Sequence, residues 1–276
     1  MRIGSGGSVM RLLAGMVCLV LMASMAVAQT PEGTSKPREV IANGGVLHTL
    51  LAPPVLGQPY SAVQVRRTSR KLADGTAISH QGHHSVARDS QGRVRVERRM
   101  ALGQNGGPDV VMVFISDPVA HTFATWIQGS TERTKTAMVV KVPAEQRRQQ
   151  TQAPPAQAAT ASGRPQPIVT TEDLGTETIQ GLPVTVSKTT TIVPVGRSGN
   201  DAPITKTHEI WTSPDLKLVM KEQWEDPRSG EMTVELDNFS RAEPDPALFR
   251  PPSGYVVKDV LQSLKELEQK LNEMQN

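Results

Sequence analysis

The chain has 276 residues, a formal net charge of +3 at neutral pH and a mean hydropathy of −0.32. This length suits one domain or two small ones, and so weak a charge does not predict nucleic acid as a partner. The only cysteine, Cys18, lies in an apolar leader. A chain that has lost the leader therefore has no thiol, which excludes disulfides, thiol catalysis and cysteine-based metal sites.

Residues 1–28 have the pattern of an export signal. Two arginines precede an apolar run from Leu12 to Val27, which ends in Ala26-Val27-Ala28, the small-x-small sequence that signal peptidase cuts. We predict cleavage between Ala28 and Gln29, and hence a periplasmic or secreted bacterial protein.

Two alternatives to cleavage stay open. A retained membrane anchor is one, although the apolar run is shorter than the roughly 20 residues of a spanning helix. A lipoprotein modified at Cys18 is the other, although Gly15-Met16-Val17 differs from the residues expected before a lipidated cysteine.

The first half of a β body follows a flexible lead-in. Residues 29–58 are rich in Pro and Gly and weakly patterned, which predicts the lead-in, and residues 59–142 carry the strands. Asp74-Gly75 predicts a two-residue hairpin turn, and Asp89-Ser90-Gln91-Gly92 predicts a second turn. From Val94 to Leu102 apolar and charged residues alternate, as in a strand with one wet face.

Three further strands are predicted at 109–115, 119–127 and 134–142, and the first is apolar on both faces, as in a buried strand. Residues 143–167 are then dominated by Gln, Ala, Pro and Thr, a composition that cannot bury enough apolar surface to order itself. We predict a low-complexity segment here, either a linker between two domains or one long loop.

The second half of the β body spans residues 168–257. A Thr-rich strand is predicted at 183–193, Ser213-Pro214-Asp215 is a turn, and alternation resumes from Leu216 to a further turn at 226–230. In all, nine to eleven strands joined by short turns predict a mainly β fold. Its form would be an antiparallel meander sheet with one wet face.

Residues 258–276 contain no Gly or Pro, and apolar residues from Val257 to Met274 recur every three or four positions. This spacing predicts a C-terminal amphipathic α-helix. Its apolar stripe needs a cover, which the protein's own sheet, a coiled coil with another copy or a membrane surface could provide.

Charge is distributed unevenly along the body. Between Arg66 and Arg99 there are nine basic residues and three acidic ones, whereas from Glu209 to Asp245 there are ten acidic and four basic residues. A solvated sheet face or mutual attraction of the two segments explains this asymmetry, and a surface for phosphate or acidic lipid is the alternative.

The enzyme motifs that sequence can reveal are absent. His208-Glu209 is followed by Thr212 where the zinc-protease pattern requires a second histidine, and no phosphate-binding loop or nucleophile elbow occurs. His80, His83 and His84 could bind a divalent metal if Gly82 formed a bulge, but in a regular strand they are the polar edge of a hairpin. No cofactor is predicted.

Aromatic residues make up 3% of the chain and concentrate in its C-terminal third. Core packing is their ordinary role. The alternative is an apolar ligand site, for which the candidate residues are Trp211, Trp224, Phe249 and Tyr255.

The C-terminal third also carries a series of short segments that resemble a known group. They are Glu209-Ile210-Trp211-Thr212-Ser213-Pro214-Asp215, Asp226-Pro227-Arg228-Ser229-Gly230-Glu231, Asn238-Phe239, Glu243-Pro244-Asp245-Pro246, Leu248-Phe249 and Pro251-Pro252-Ser253-Gly254-Tyr255. In these segments the chain resembles exported proteins common in soil bacteria, especially acidobacteria. More remotely, it is similar to the periplasmic lipoprotein-carrier (LolA/LolB-like) superfamily.

The resemblance implies that the meander is a curved antiparallel sheet, open and half-barrel-like, with helices on its apolar concave side. It also implies non-catalytic binding of acyl chains or envelope proteins. The chain departs from that superfamily by lacking a helical pattern in its N-terminal half and by its insert at 143–167. We therefore predict a non-enzymatic envelope protein that binds a lipid or an envelope protein near Trp211 and Trp224. One alternative is an interaction protein, monomeric or weakly homo-oligomeric through residues 257–274; another is a hydrolase with dispersed catalytic residues.

Overall fold

The computed structural model describes Leu50, residues 52–101, 109–128, 135–142 and 165–263, and the single residues Gln269 and Glu273. The signal peptide at 1–28, most of the lead-in and the low-complexity residues 143–164 lie outside this part of the chain, so the expectations for them stay predictions.

The described residues include twelve strands, one 3-10 helix at Pro246–Phe249 and the start of a C-terminal helix at Val260. The strands belong to an open, predominantly antiparallel sheet, which confirms the fold class predicted from the sequence. In chain order they are β1 (Tyr60–Lys71), β2 (Ala77–Arg88), β3 (Val94–Ala101), β4 (Asp109–Asp117), β5 (Thr122–Gln128), β6 (Thr136–Lys141), β7 (Ile168–Ile179), β8 (Leu182–Val193), β9 (Ile204–Ser213), β10 (Leu218–Asp226), β11 (Gly230–Ser240) and β12 (Val256–Asp259).

Two compact units share these strands. Unit 1 contains β4, β5, β6 and β12, and unit 2 contains β1, β2, β7 to β11 and most of β3. In unit 2 the strand order is β3-β2-β1-β11-β10-β9-β8-β7, and every neighbouring pair is antiparallel. β1 thus joins the two hairpins that precede the low-complexity segment to the meander that follows it.

The predicted turns all join strands of unit 2, although the first differs in length. β1 and β2 pair as far as Lys71 and Ala77, and Gly75 donates a hydrogen bond to the carbonyl of Leu72 (3.0 Å). Gly75 has φ +86°, which is the left-handed conformation. The loop that it closes is longer than the predicted two residues.

A second glycine, Gly230, is required by close packing as well as by its φ of +88°. It begins β11 at the turn after β10, against the backbone of β1. A Cβ on this residue would lie 2.9 Å from the Cα of Arg70 and would clash with the carbonyl of Ser69. Only glycine fits here without moving β1.

A buried arginine fixes one end of unit 2. The guanidinium of Arg88, which is 5% exposed, donates from Nε to the carbonyl of Gln58 (2.9 Å) and from Nη2 to that of Leu216 (2.8 Å). It also lies 4.9 Å from the ring centroid of Tyr60, which stacks on Phe239. These two hydrogen bonds and the aromatic ring beside the charge offset part of the cost of burying this arginine.

Unit 1 has the strand order β12-β6-β5-β4, with β12 parallel to β6 and the other pairs antiparallel. Val113, Ile115, Trp126 and Ala137 form one buried cluster, with Tyr255 packed against it. The Tyr255 hydroxyl donates to the carbonyl of Ile127 (2.7 Å).

The predicted start of the C-terminal helix was wrong by two residues. Lys258 and Asp259 belong to β12, and the helix begins at Val260. The carboxylate of Asp259 accepts the N–H groups of Leu261 (2.9 Å) and Gln262 (3.2 Å), which is an N-cap. Val260 is buried, as the apolar stripe predicts, whereas Val257 is 58% exposed in β12. Within the described residues no helix is long and apolar enough to span a membrane.

Candidate ligand-binding face

Strand register assigns the side chains of unit 2 to two opposite faces, because successive residues of a strand point to opposite sides. We call the first the histidine face and the second the ion-pair face. The histidine face carries Arg66, Gly82, His84, Arg98, His208, Ile210, Glu222, Trp224, Met232 and Val234. The ion-pair face carries Arg67, His83, Arg95, Glu97, Lys188, Glu209, Trp211, Lys221 and Glu235.

The ion-pair face is a lattice of matched charges. Arg67 pairs with Glu235, and Lys188 pairs with Glu209 (2.8 Å). At the far end of the face Arg95 pairs with the Glu97 carboxylate at 2.8 Å. This is the wet face that the alternating strand patterns predict.

Trp211 is sealed into the ion-pair face. Its indole N–H donates to the carboxylate of Glu177 on β7 (3.0 Å), and the ammonium of Lys221 lies 4.3 Å from its ring centroid. The residue is only 6% exposed. With its polar group satisfied and its ring covered by a cation, Trp211 has a structural role in this face.

Trp224 lies on the histidine face in a different environment. Its ring stacks on the imidazole of His208, with the centroids 4.6 Å apart and the planes at 12°. The buried carboxylate of Glu222 lies 4.0 Å from His208 Nε2, which is too long for a hydrogen bond. Ile210 and Val234, the neighbours of Glu222 in register, supply apolar surface beside this aromatic pair.

Three buried nitrogen atoms of the histidine face have no hydrogen-bond partner: His84 Nδ1, His208 Nε2 and Trp224 Nε1. A buried polar group without a partner costs about 1–3 kcal/mol. Because such groups are rare in folded proteins, three of them on one face, each on a different strand, make this face the candidate site.

Both histidines favour the neutral form. Burial lowers the pKa of His208. Burial also lowers the pKa of His84, and the nearby charges of Arg98 and Arg66 lower it further. A neutral imidazole keeps one nitrogen as an acceptor and the other as a donor, so each ring can bind an uncharged polar group.

Gly82 leaves a gap in the histidine face. It stands directly opposite Arg66 in the pairing of β2 with β1, and a Cβ built on it would meet no atom within 4 Å. The residue is half-buried and has no left-handed φ, so the backbone itself does not require glycine. Along β2 the gap lies two residues before His84, on the same face of the sheet.

The structure does not bring the four predicted ligand-binding residues together. In the register of β9 with β10, Trp211 is opposite Lys221 and Trp224 is opposite His208. Lys221 and Trp224 are three positions apart on β10, so the two tryptophans lie on opposite faces. Phe249 and Tyr255 belong to unit 1, where Phe249 is buried and Tyr255 packs against a core cluster. Of the four, only Trp224 lies in the candidate site, and neighbouring strands supply the rest of it.

The three histidines proposed as a metal site are also separated. β2 pairs with β1 without a shift from Ala77 to Arg88, so the bulge at Gly82 that this site requires is not formed. His80 and His84 share the histidine face, whereas His83 points to the other face. Within the described residues no group of side chains is arranged to hold a metal ion.

No protein-family model and no curated protein sequence matches the chain. Among solved structures, an uncharacterized conserved protein from Thermus thermophilus matches with 12% identity and a TM-score of 0.36, over 74% of this chain and 91% of that one. A chain of the Pseudomonas aeruginosa MucA/MucB complex matches with 14% identity and a TM-score of 0.34, over 73% of this chain and 58% of that one.

A third solved structure that matches part of the chain is a lipoprotein-sorting domain. It is a candidate outer membrane lipoprotein-sorting protein domain from Vibrio parahaemolyticus, with 8% identity and a TM-score of 0.23, over 69% of this chain and 89% of that one. TM-scores below 0.5 do not establish a common fold, and no function follows from them.

Proposed function

We propose that the protein is an extracytoplasmic, non-enzymatic binding protein that holds a lipophilic ligand on its histidine face. The observation that carries this proposal is the stacked pair of the Trp224 and His208 rings. The pair offers apolar ring surface, and two of its buried nitrogen atoms have no hydrogen-bond partner. Binding sites for small molecules combine mostly apolar walls with a few convergent polar groups, which is the composition found here.

The location outside the cytoplasm rests on the sequence of the leader, whose cleavage between Ala28 and Gln29 is a prediction. The resemblance to lipoprotein carriers agrees with a non-catalytic role. The ion-pair face agrees with it as well, since a face whose charges are matched within the protein needs no ligand to neutralise them.

The two tryptophans provide a test with an internal control, because they lie on opposite faces of one pair of strands. We expect a brominated fatty acid, which quenches indole fluorescence on contact, to quench wild-type protein and Trp211→Phe but not Trp224→Phe. The third tryptophan, Trp126, is 0% exposed and provides constant background emission.

Circular dichroism of each variant establishes that it is folded. Quenching that persists in Trp224→Phe and disappears in Trp211→Phe would place the ligand on the ion-pair face and refute the assignment. The absence of quenching in the wild type would refute lipophilic binding altogether.

The natural ligand is then identified by native mass spectrometry of protein purified from the periplasm of its host. We expect a lipid mass that co-purifies with the wild type, is lost on unfolding and is depleted in Trp224→Phe. A protein that carries no additional mass would shift the proposal to an envelope protein as the partner.

A second candidate function is self-association through residues 257–274. Val257 is 58% exposed and Leu261 is 42% exposed, so apolar side chains remain uncovered where the helix begins. Truncation at Lys258 would remove half of β12 and the buried Val260, so a chain that ends at Ser263 is the better variant. Light scattering that shows both the full-length and the truncated protein to be monomers excludes this function.

A further inference from the structure

Four arginines of β1 and β3 fall into two pairs with different partners. On the ion-pair face, Arg67 and Arg95 are bound to carboxylates. On the histidine face, Arg66 and Arg98 are exposed, and within the described residues no carboxylate forms an ion pair with either. The histidine face therefore presents two guanidinium groups whose charges are not neutralised by a carboxylate.

The guanidinium of Arg66 is oriented so that it can bind an anion. Its Nε donates to the sulfur of Met232 (3.2 Å), a contact that fixes the plane of the group without neutralising its charge. Nη1 and Nη2 remain as a fork of donors, which matches two oxygens of a phosphate, sulfate or carboxylate.

Arg98 lies on the other side of the same gap. It pairs in register with His84, while Arg66 pairs with Gly82, two positions away along β2. Both positive charges lower the pKa of the His84 ring. The space that Gly82 leaves open is thus flanked by two arginines and by an imidazole with a free nitrogen.

The gap is connected to the aromatic pair by an apolar surface. Arg66 pairs with Val234 on β11, Val234 pairs with Glu222 on β10, and Trp224 is the next residue on that face of β10. Trp224 lies two strand spacings across the sheet and two residues along β10 from the position of Arg66, so their Cα atoms are about 12 Å apart. A chain anchored at Arg66 would cross Val234 and reach Trp224. The one carboxylate on this path, that of Glu222, lies beyond Val234 and close to the aromatic pair.

We infer that the histidine face binds an anionic amphiphile, with its head group in the gap at Gly82 between Arg66 and Arg98 and its apolar chain on Trp224. This inference rests on the proposed function and gives the chemical class of its ligand. The sequence left two roles open for the basic stretch between Arg66 and Arg99: a solvated sheet face, or a surface for phosphate or acidic lipid. The inferred site gives this stretch the second role.

Two amphiphiles that share one alkyl chain but differ in head group distinguish the contribution of the head group to affinity from that of the chain. Dodecyl phosphate and dodecyl maltoside are titrated below their micelle concentrations against wild-type protein, with Trp224 emission and calorimetry as readouts. We expect dodecyl phosphate to bind about tenfold more tightly or better, as the loss of a charge-assisted hydrogen bond corresponds to at least that factor.

The double variant Arg66→Gln, Arg98→Gln should lose this preference and still bind dodecyl maltoside as the wild type does. Arg99→Gln is the matched control: it removes an exposed arginine from the next position of β3, which points to the other face, and should keep the preference. Inorganic phosphate alone should compete only weakly.

The possible failures are distinguishable. If neither amphiphile binds, the proposed function is wrong. If both bind equally to the wild type, or if Arg99→Gln changes the preference as much as the double variant does, lipophilic binding stands and the anionic head group is refuted. If inorganic phosphate binds as tightly as dodecyl phosphate, the site is a simple anion site and the amphiphile is refuted.

Discussion

Replacing Gly82 by valine should stabilise the protein and at the same time weaken ligand binding. Glycine within a strand costs roughly 0.5–1 kcal/mol relative to alanine, and a β-branched residue gains up to about 1 kcal/mol more in strand propensity. Because a Cβ at this position meets no atom within 4 Å, no clash offsets the gain. We expect an increase of about 1 kcal/mol in the free energy of unfolding, and hence of about 2–4 °C in Tm.

The same side chain would occupy the gap between Arg66 and Arg98. Dodecyl phosphate should therefore bind at least about tenfold more weakly to Gly82→Val than to the wild type, the factor that corresponds to one lost charge-assisted hydrogen bond. The assays are calorimetric unfolding of the free protein and titration of the folded protein. Ser79→Val is the control, since this exposed residue of β2 pairs with Ser69 on the ion-pair face and gains strand propensity without filling the gap.

Each half of the reasoning has its own refutation. A lower Tm for Gly82→Val would show that the gap is closed in solution. A higher Tm with unchanged affinity would show that the head group does not use the gap. If Ser79→Val weakens binding as much as Gly82→Val does, the effect is not specific to the histidine face.

Two further predictions concern stability. Gly230→Ala should destabilise the protein by about 1–3 kcal/mol more than Gly75→Ala in chemical denaturation. Both residues have a left-handed φ, but only at Gly230 would a Cβ clash with the backbone of β1. Equal losses of stability would show that β1 shifts without an energetic cost. The second concerns pH: His84 and His208 have a lowered pKa in the folded state, so the unfolded chain binds protons first and the free energy of unfolding should fall as pH decreases through about 6.5. In His84→Gln and His208→Gln the dependence of Tm on pH between 8 and 5 should be shallower, and a slope equal to that of the wild type would contradict the prediction.

Most of the strands could be predicted from the sequence. A strand with one face in water alternates apolar and polar residues, and this pattern can be recognised in each strand by itself. β7 was not predicted as a strand. It is exposed on both faces, so its Thr, Glu and Asp residues show no alternation. The start of the C-terminal helix was misplaced because the apolar spacing at Val257 also fits the short strand β12, whose pairing with β6 depends on distant residues.

The site was harder to predict than the strands. Whether Trp211 and Trp224 share a face depends on the register of β9 against β10, which is set by the turn after Ser213 and by an irregularity between Val219 and Lys221. Neither follows from the alternation of each strand by itself. Similarly, Arg66 and Arg67 are equivalent in the sequence, and only the carboxylates of β11 distinguish the paired arginine from the available one.

The edge of the sheet at β7 makes solubility depend on a few side chains. This strand has 12 residues and is paired only with β8 among the described strands, so one row of its backbone groups is open to any other unpaired strand. Glu172, Asp173 and Glu177 give the edge a charge that repels a second copy, and a bulge at Gly175 interrupts the row of hydrogen-bonding groups. Neutral residues at Glu172 and Asp173 would remove most of this charge and convert the same edge into a template for aggregation.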